Sequence, residues 1–392
     1  MKISVRKFPY PYKCALAVCN DAEYLTWEAF NEIHKYLNTN KDTKIAKGLN
    51  LEIGDSFFMY SVNGARSFSY FDGITFNPSK HAPAMIDLMK AGCLDVIHSY
   101  GDFSGNACFT RDMAKKALDE LKRSGVSVLV WTNHGAVEDI QNIGGEKPYY
   151  QKGDDPSSNA YHNDLTVKYG IKYFCLDYLI SNEFVCNKKG IFGIKNGLVS
   201  AQKCRDKNVI YAFKRYRGER KFAPDSSSLQ FQLSEKNLNE LINNEGYCVV
   251  YQHLGVKRLE DGKPVSNEMP YFDSSNIKAL EMLSGLFHDG KIFIAATSRL
   301  LNYNTVSNNI EWKTRKEGDK ARIIIEKVKD KICGGYIPDI RSLQGVTFYS
   351  DIPEKTEIYL NENRIENTTI NNADWTGKKS ISVKWEKLNI NL

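Results

Sequence analysis

Ala15-Leu16-Ala17-Val18-Cys19-Asn20-Asp21-Ala22-Glu23, followed by the amphipathic stretch 26–36, decides how this chain is read. The first five residues form an unbroken apolar run, and the run ends in a knot of polar residues. An alternating strand is half exposed, whereas a continuous apolar run next to a helical period belongs to a parallel strand covered on both faces. The same unit recurs. Apolar runs lie at 94–98, 126–131, 171–176, 247–251 and 291–296, with amphipathic stretches at 82–91, 111–123, 235–243 and 274–287. Within 111–123, Met113, Ala117, Leu118 and Leu121 recur at the spacing of one helix face. Ser234 and Ser274 stand where helix starts are expected. Repeated strand-then-helix units predict an α/β barrel or an open doubly wound sheet.

Two stretches break this rhythm. Residues 183–227 contain Gly190-Ile191-Phe192-Gly193 and Tyr211-Ala212-Phe213-Lys214-Arg215-Tyr216-Arg217, and read as extra strands or a long loop inserted in the barrel. After 302 the helical period gives way to short alternating runs at 321–328, 345–350, 357–360 and 380–385. Turn residues such as Asp351-Ile352-Pro353 separate them. The expected organisation is a barrel over 1–302 and a small antiparallel β-sandwich over 303–392.

A chain of 392 residues has room for both units. With 42% hydrophobic and 26% charged residues it can build a core and does not read as disordered. The net charge of +6 is spread without a basic block, which argues against nucleic acid and leaves room for an acidic small ligand. No apolar run reaches the ~18 residues of a membrane span. The start, Met1 to Lys7, lacks the apolar stretch of a secretory signal. The nine cysteines include no C-x-x-C pair and mostly sit in apolar runs, so a cytoplasmic protein with free thiols is expected. Nothing in the sequence specifies an oligomeric state.

Parallel sheets gather function at the C-terminal ends of their strands. That rule selects Asp21 and Glu23 after the first run, His98 and Asp102 after the run at 94–98, His134 after Trp131-Thr132-Asn133, and His253 after Tyr251-Gln252. Three histidines and a carboxylate at strand ends point to one shared site. His34, His81 and His288 lie in helical or loop patterns and read as surface residues. If the chain turns helically after His98, Asp102 four residues on faces the same way. Asp21, His98 and Asp102 then make a divalent-metal set, with zinc first and manganese, magnesium or iron as competitors. The alternative is that Asp21 caps the helix near Thr26 and Asp102 starts a turn. Asp55, in Gly54-Asp55-Ser56 after the apolar run 49–53, either joins the rim or is a turn residue. Arg215 and its neighbours either clamp an anionic group or form a solvated face. Trp131, Tyr100 and Phe103 either wall a sugar site or pack the core. No phosphate loop, nucleophile elbow or H-E-x-x-H motif is present.

In this order of strand-end motifs, residues 10–300 resemble the NodB-like polysaccharide deacetylases of carbohydrate esterase family 4. The resemblance implies a distorted seven-stranded (β/α) barrel. It matches Asn20 and Asp21 to the family's aspartate pair, the first of which is the catalytic base and the second a metal ligand. His98 and Asp102 match its two metal-binding histidines, Thr132-Asn133-His134-Gly135 replaces its arginine–proline motif, and His253 matches its general acid. An amide cannot serve as a base, so His134 or Glu23 is expected to take that role. The candidate substrate contacts are Asn20, Trp131, Asn133 and Arg215. The implied activity is metal-dependent deacylation of an amino sugar or glycan precursor. A glycoside hydrolase on a related barrel and a non-catalytic glycan-binding barrel are the alternatives.

Overall fold

The computed structural model describes residues 2–62, 67–103, 105, 108–135, 139–146, 149–186, 197–219, 222–265 and 269–390. The chain alternates β1 (Cys14–Asn20), α1 (Trp27–Asn38), β2 (Asp55–Phe57), α2 (Ala82–Lys90), β3 (Leu94–His98), α3 (Arg111–Arg123), β4 (Val130–Thr132), α4 (Asn163–Tyr169) and β5 (Tyr173–Cys175). It continues through β6 (Val209–Phe213), β7 (Arg215–Tyr216), α5 (Glu235–Asn243), β8 (Tyr247–Gln252), α6 (Ser274–His288), β9 (Ile292–Ile294) and α7 (Thr297–Asn309). Neighbours in the order β6-β5-β4-β3-β2-β1-β8 all pair in parallel. β7 lies parallel to β8 and to the short strand Ile180–Ser181, and β9 runs beside Cys14–Leu16 of β1. The result is a mixed α/β unit around a curled, half-barrel parallel sheet.

β1 and β8 are buried at every position, as their continuous apolar runs require. α1 starts at Thr26, whose side chain accepts a hydrogen bond from Ala29 N, so Thr26 and not Asp21 caps this helix. Two expectations need correction. The apolar run 49–53 is irregular, and the strand is β2, which begins on the buried Asp55. The stretch 183–227 is no simple insertion, because its residues 209–216 supply β6 and β7 of the parallel sheet. Residues 187–196, including Gly190-Ile191-Phe192-Gly193, and 220–221 lie outside the described residues.

Beyond α7, the strands β10 (Ile310–Glu317), β11 (Lys320–Asp330), β12 (Thr347–Tyr349), β13 (Thr356–Leu360), β14 (Thr368–Asn371) and β15 (Ser380–Val383) form two sheets. On β11, Ala321, Ile323 and Ile325 point inward and the residues between them face outward, the alternation of a half-buried strand. Ile323, Ile325, Phe348, Ile358 and Ile381 share the core. β11 and β13 pair in parallel, so the expected purely antiparallel sandwich is in fact mixed. The expected boundary at 302/303 falls inside α7, whose Tyr303 and Val306 belong to this second core.

Both chain ends tie the two parts together. Ser4–Val5 pairs with β12, and Arg6 donates to Asp374 at 2.9 Å. Trp385 packs edge-on against Phe293 of β9, with ring centroids 4.7 Å apart. Glu52 receives Arg299 at 2.6 Å and the Leu388 amide at 3.2 Å. Among the described residues no helix is long and apolar enough to cross a membrane. None of the nine cysteines is in a disulfide among the described residues.

Candidate metal centre

β1, β3, β4 and β8 all end at one edge of the sheet, and the residue just past or at each end points into a common space. β1 delivers Asp21 and Glu23, β3 ends on His98, and His134 and His253 follow β4 and β8. All five side chains are buried. The Glu23 carboxylate stands among three imidazoles: His134 Nε2 at 3.2 Å, His98 Nδ1 at 3.5 Å and His253 Nε2 at 3.9 Å. Asp21 Oδ2 lies 3.5 Å from His98 Nε2. Ligating atoms of Asp21, Glu23 and His253 all fall within 4.8 Å of one another, so these three could hold one metal ion. Two carboxylates and an imidazole suit a divalent cation of intermediate hardness.

The surroundings fix these groups. Arg215 Nη1 donates to both oxygens of Asp21, at 2.8 and 3.0 Å, and its guanidinium lies 3.9 Å from the centre of the Tyr251 ring. His134 Nδ1 faces Asp139 Oδ2 at 3.2 Å. His253 Nδ1 faces Pro224 O at 2.7 Å, which leaves its Nε2 turned towards Glu23. Phe58 stacks on His98 and meets His134 edge-on.

Charge follows from this packing. Burial works to raise the Glu23 carboxyl, yet His134, His253 and His98 together hold it well below the usual carboxylate range. Burial works to lower His134, but Glu23 and Asp139 outweigh it and keep the imidazole protonated well above its ordinary value. Burial lowers His98 to about 4 and also lowers His253, so both present neutral rings at neutral pH. The Asp139 carboxyl is pushed up by burial, against the pull of His134. The centre is therefore a Glu23–His134 ion pair beside an Asp21–Arg215 ion pair, with two neutral imidazoles.

The structure brings together Asp21, Glu23, His98, His134 and His253, and sets the remaining expected residues apart. Asp102 does not join Asp21 and His98 as a third ligand. The chain after β3 turns through Ser99 at φ 48° into a short strand, Gly101–Asp102, instead of a helix. Asp102 therefore meets His134, with Oδ1 3.7 Å from Nδ1. Asn20 and Trp131 are fully buried and offer no face to a substrate. Trp131 packs edge-on against Tyr100, also buried, and its indole donates to Asn133 Oδ1 at 3.0 Å. Asn133 in turn donates to Ile143 O and Asp177. Tyr100 and Phe103 are core residues, not a sugar wall. Arg215 is neither solvated nor free to clamp a substrate, being 1% exposed on Asp21. Asp55 sits behind the rim, bonded to Asn20 and His34, and His34 is buried, not a surface residue. Sequence reasoning missed Asp139. Its only signal was a carboxylate five residues after a strand-end histidine.

A cavity of about 570 Å³ is lined by Tyr24, Trp27, Ser61, Ser69, Asp72 and His81 among others, and by none of the five converging side chains. Tyr24 follows Glu23 directly, and Ser61 pairs with Asp102 across two short strands. No family model matches the chain, and no curated protein or solved structure matches it either.

Proposed function

We propose that this protein is a metal-dependent hydrolase that removes an acyl group from an amino sugar or glycan precursor. One observation carries the reading: two carboxylates and three imidazoles, drawn from four strand ends, converge in one buried space. Asp21, Glu23 and His253 would hold the ion. Their fit is supported by the donor set itself and by His98 Nδ1, a buried ring nitrogen without a hydrogen-bond partner. A bound divalent ion would polarise the acyl carbonyl and lower the pKa of a water.

The chain's own residues divide the remaining work by protonation state. His134, kept charged and aimed by Asp139, carries the proton that the leaving nitrogen needs. His98, whose buried Nδ1 has no hydrogen-bond partner, is the group placed to accept a proton from water, although burial makes it a weak base. This moves His134 from the expected base to the acid and His253 from the expected acid to a ligand, since His253 stands with the carboxylates. Arg215 neutralises Asp21 and fixes its orientation.

The sheet supports the finer fold reading as well. β6 and β7 are separated by Lys214 alone; β6 pairs with β5 and β7 pairs with β8, a continuity that supports counting the curled sheet as seven parallel staves. We read this as a distorted (β/α)7-type barrel of the polysaccharide deacetylase kind, with a carbohydrate as substrate and zinc as the first choice of ion. The glycosidase reading rests on Asp21 and Glu23, whose oxygens approach within 4.8 Å, near the ~5 Å carboxyl spacing of retaining enzymes. Metal analysis and acetate release from N-acetylated amino sugars and their oligomers test the proposal. One ion per chain and metal-dependent acetate release are expected. A metal-free protein that cleaves aryl glycosides would establish the alternative, and a metal-loaded protein that releases no acyl group from any of these substrates would overturn the reading.

A further inference from the structure

We propose that Asn20 is a positioning residue, and that a buried relay from helix α1 through Asn20 holds the turn carrying His253. The relay is directional. Asn38 is locked by Ile53, donating to its carbonyl at 2.9 Å and accepting from its amide at 2.8 Å. That orientation points the Asn38 amide nitrogen at His34 Nδ1, 3.0 Å away, so Nδ1 must accept. His34 Nε2 then carries the hydrogen and donates to Asp55 Oδ2 at 3.0 Å. Asn20 donates to the same oxygen at 2.8 Å, while its own carbonyl accepts the Leu254 amide at 2.6 Å. Asp55 Oδ1 takes the Ser56 amide at 2.7 Å, so the carboxylate is held from both sides.

Position 20 therefore needs one donor and one acceptor on a short planar side chain, which is an amide. An ionised carboxylate there would keep the Leu254 bond and set a second negative charge against Asp55. Leu254 is the residue after His253, and its amide ties the turn leaving β8 to Asn20, while Gly255 N on Ser226 Oγ holds the next residue. The other His253 anchors are Gln252 Oε1 on its amide and Pro224 O on its ring. Asn20 is thus no relic of a lost base; it aims the imidazole of His253 at Glu23 without touching the reacting atoms.

The test is hydrogen exchange at residue resolution on the full-length, metal-free protein, comparing wild type with Asn20→Ala and Asp55→Ala. The Asp21 amide, bonded to Gln252 O at 2.9 Å, is the internal control. A hydrogen bond of ordinary net worth corresponds to roughly a tenfold change, so the Leu254 amide should exchange about ten times faster in both variants while Asp21 keeps its protection. If one variant fails to fold, the other still decides. Unchanged protection at Leu254, or equal loss at Leu254 and Asp21, overturns the relay. The role assigned to His253 rests on the proposed metal centre, so zinc affinity is measured alongside. A roughly 10–100-fold loss in Asn20→Ala is expected, absent when His253 is already alanine. If wild type binds no zinc while Leu254 responds as stated, the metal reading falls and the relay stands. If zinc binds and Asn20→Ala leaves its affinity unchanged, the relay does not aim His253.

Discussion

Separating Asp21 from Arg215 is the sharpest perturbation the centre offers. Both side chains are essentially without solvent, at 0% and 1% exposure. Arg215→Met leaves the Asp21 carboxylate buried, with the neutral His98 ring 3.5 Å away and ligating atoms of Glu23 and the neutral His253 within 4.8 Å, none of which replaces the lost cation. Removing one partner of a buried ion pair costs about 3–5 kcal/mol, because the survivor keeps its desolvation penalty without compensation. Asp21→Asn strands the guanidinium instead. The Tyr251 face at 3.9 Å remains beneath it, and a desolvated cation–π contact is worth about 2 kcal/mol, so this loss should sit at the lower end. Asp21→Asn with Arg215→Met removes both charges, and should lie at least ~2 kcal/mol closer to wild type than the two single losses added together. Urea unfolding of metal-free protein, followed by tryptophan fluorescence and circular dichroism, reads these values. At a slope of about 3 kcal/mol/M, the Arg215→Met midpoint should fall by ~1 M or more. Single variants that each move the midpoint by less than about 0.3 M, or a double variant as unstable as the sum, would falsify the buried pair.

The Glu23–His134 pair makes stability depend on pH. Glu23 is held low, so its share is present above its unfolded value near pH 4.3 and lost as pH falls through the folded pKa; His134 is held high, so its share is present below about 6.5 and lost as pH rises through the folded pKa. In metal-free protein the stability gap between wild type and Glu23→Gln should be widest between pH ~4.3 and ~6.5, and a flat gap from pH 4 to 9 contradicts the pairing. In the same variant, ring NMR should show the His134 pKa dropping towards its ordinary value, though Asp139 retains part of the shift. Zinc content should fall in Glu23→Gln and His253→Ala and stay at wild-type level in Asp102→Asn; equal content in all three removes the assigned ligands. A chain ended at 302 cuts α7 and strips Trp385 and Leu388 from the α/β unit, so it should lose its cooperative melt, and an unchanged melting midpoint would show that this unit stands alone.

The parallel strands were legible where hydrophobicity alone makes the strand. β1 and β8 are apolar but for their last residue and β3 carries Val96-Ile97 at its centre, and these runs fix the strand ends to within a residue or two. β2 was not legible, because it starts on Asp55 and is held by paired polar groups that a hydrophobic period cannot detect. The same blindness hid His34. Phe30, Ile33, His34 and Leu37 occupy one face of α1, and all four are buried; the spacing placed His34 inward, and only its polarity suggested the surface. β6 and β7 looked like an insertion for a related reason. Arg215 reads as a solvated charge until its partner is known, and that partner lies 194 residues earlier in the chain.

The ligand set shows where strand-end reasoning stops. It brought Asp21, Glu23, His98, His134 and His253 to one rim, since each follows a strand that the sequence marks. It could not rank them, because rank depends on how the chain turns in the two or three residues after the strand. Ser99 takes a left-handed backbone, which swings Asp102 away from His98 and towards His134. After β1 the opposite happens: the Glu23 amide donates back to Asp21 O at 2.8 Å, and this tight turn folds the Glu23 carboxylate in among the imidazoles. A spacing of four suggests a ligand pair at His98 and Asp102, whereas a spacing of two brings together Asp21 and Glu23, which with His253 could hold an ion. Lengthening that second turn by a glycine after Ala22 should therefore abolish metal binding while leaving β1 and its pairing with β8 intact, as read by zinc content and by exchange protection along 14–20. Retained zinc in the lengthened chain would mean that the turn does not set the ligands.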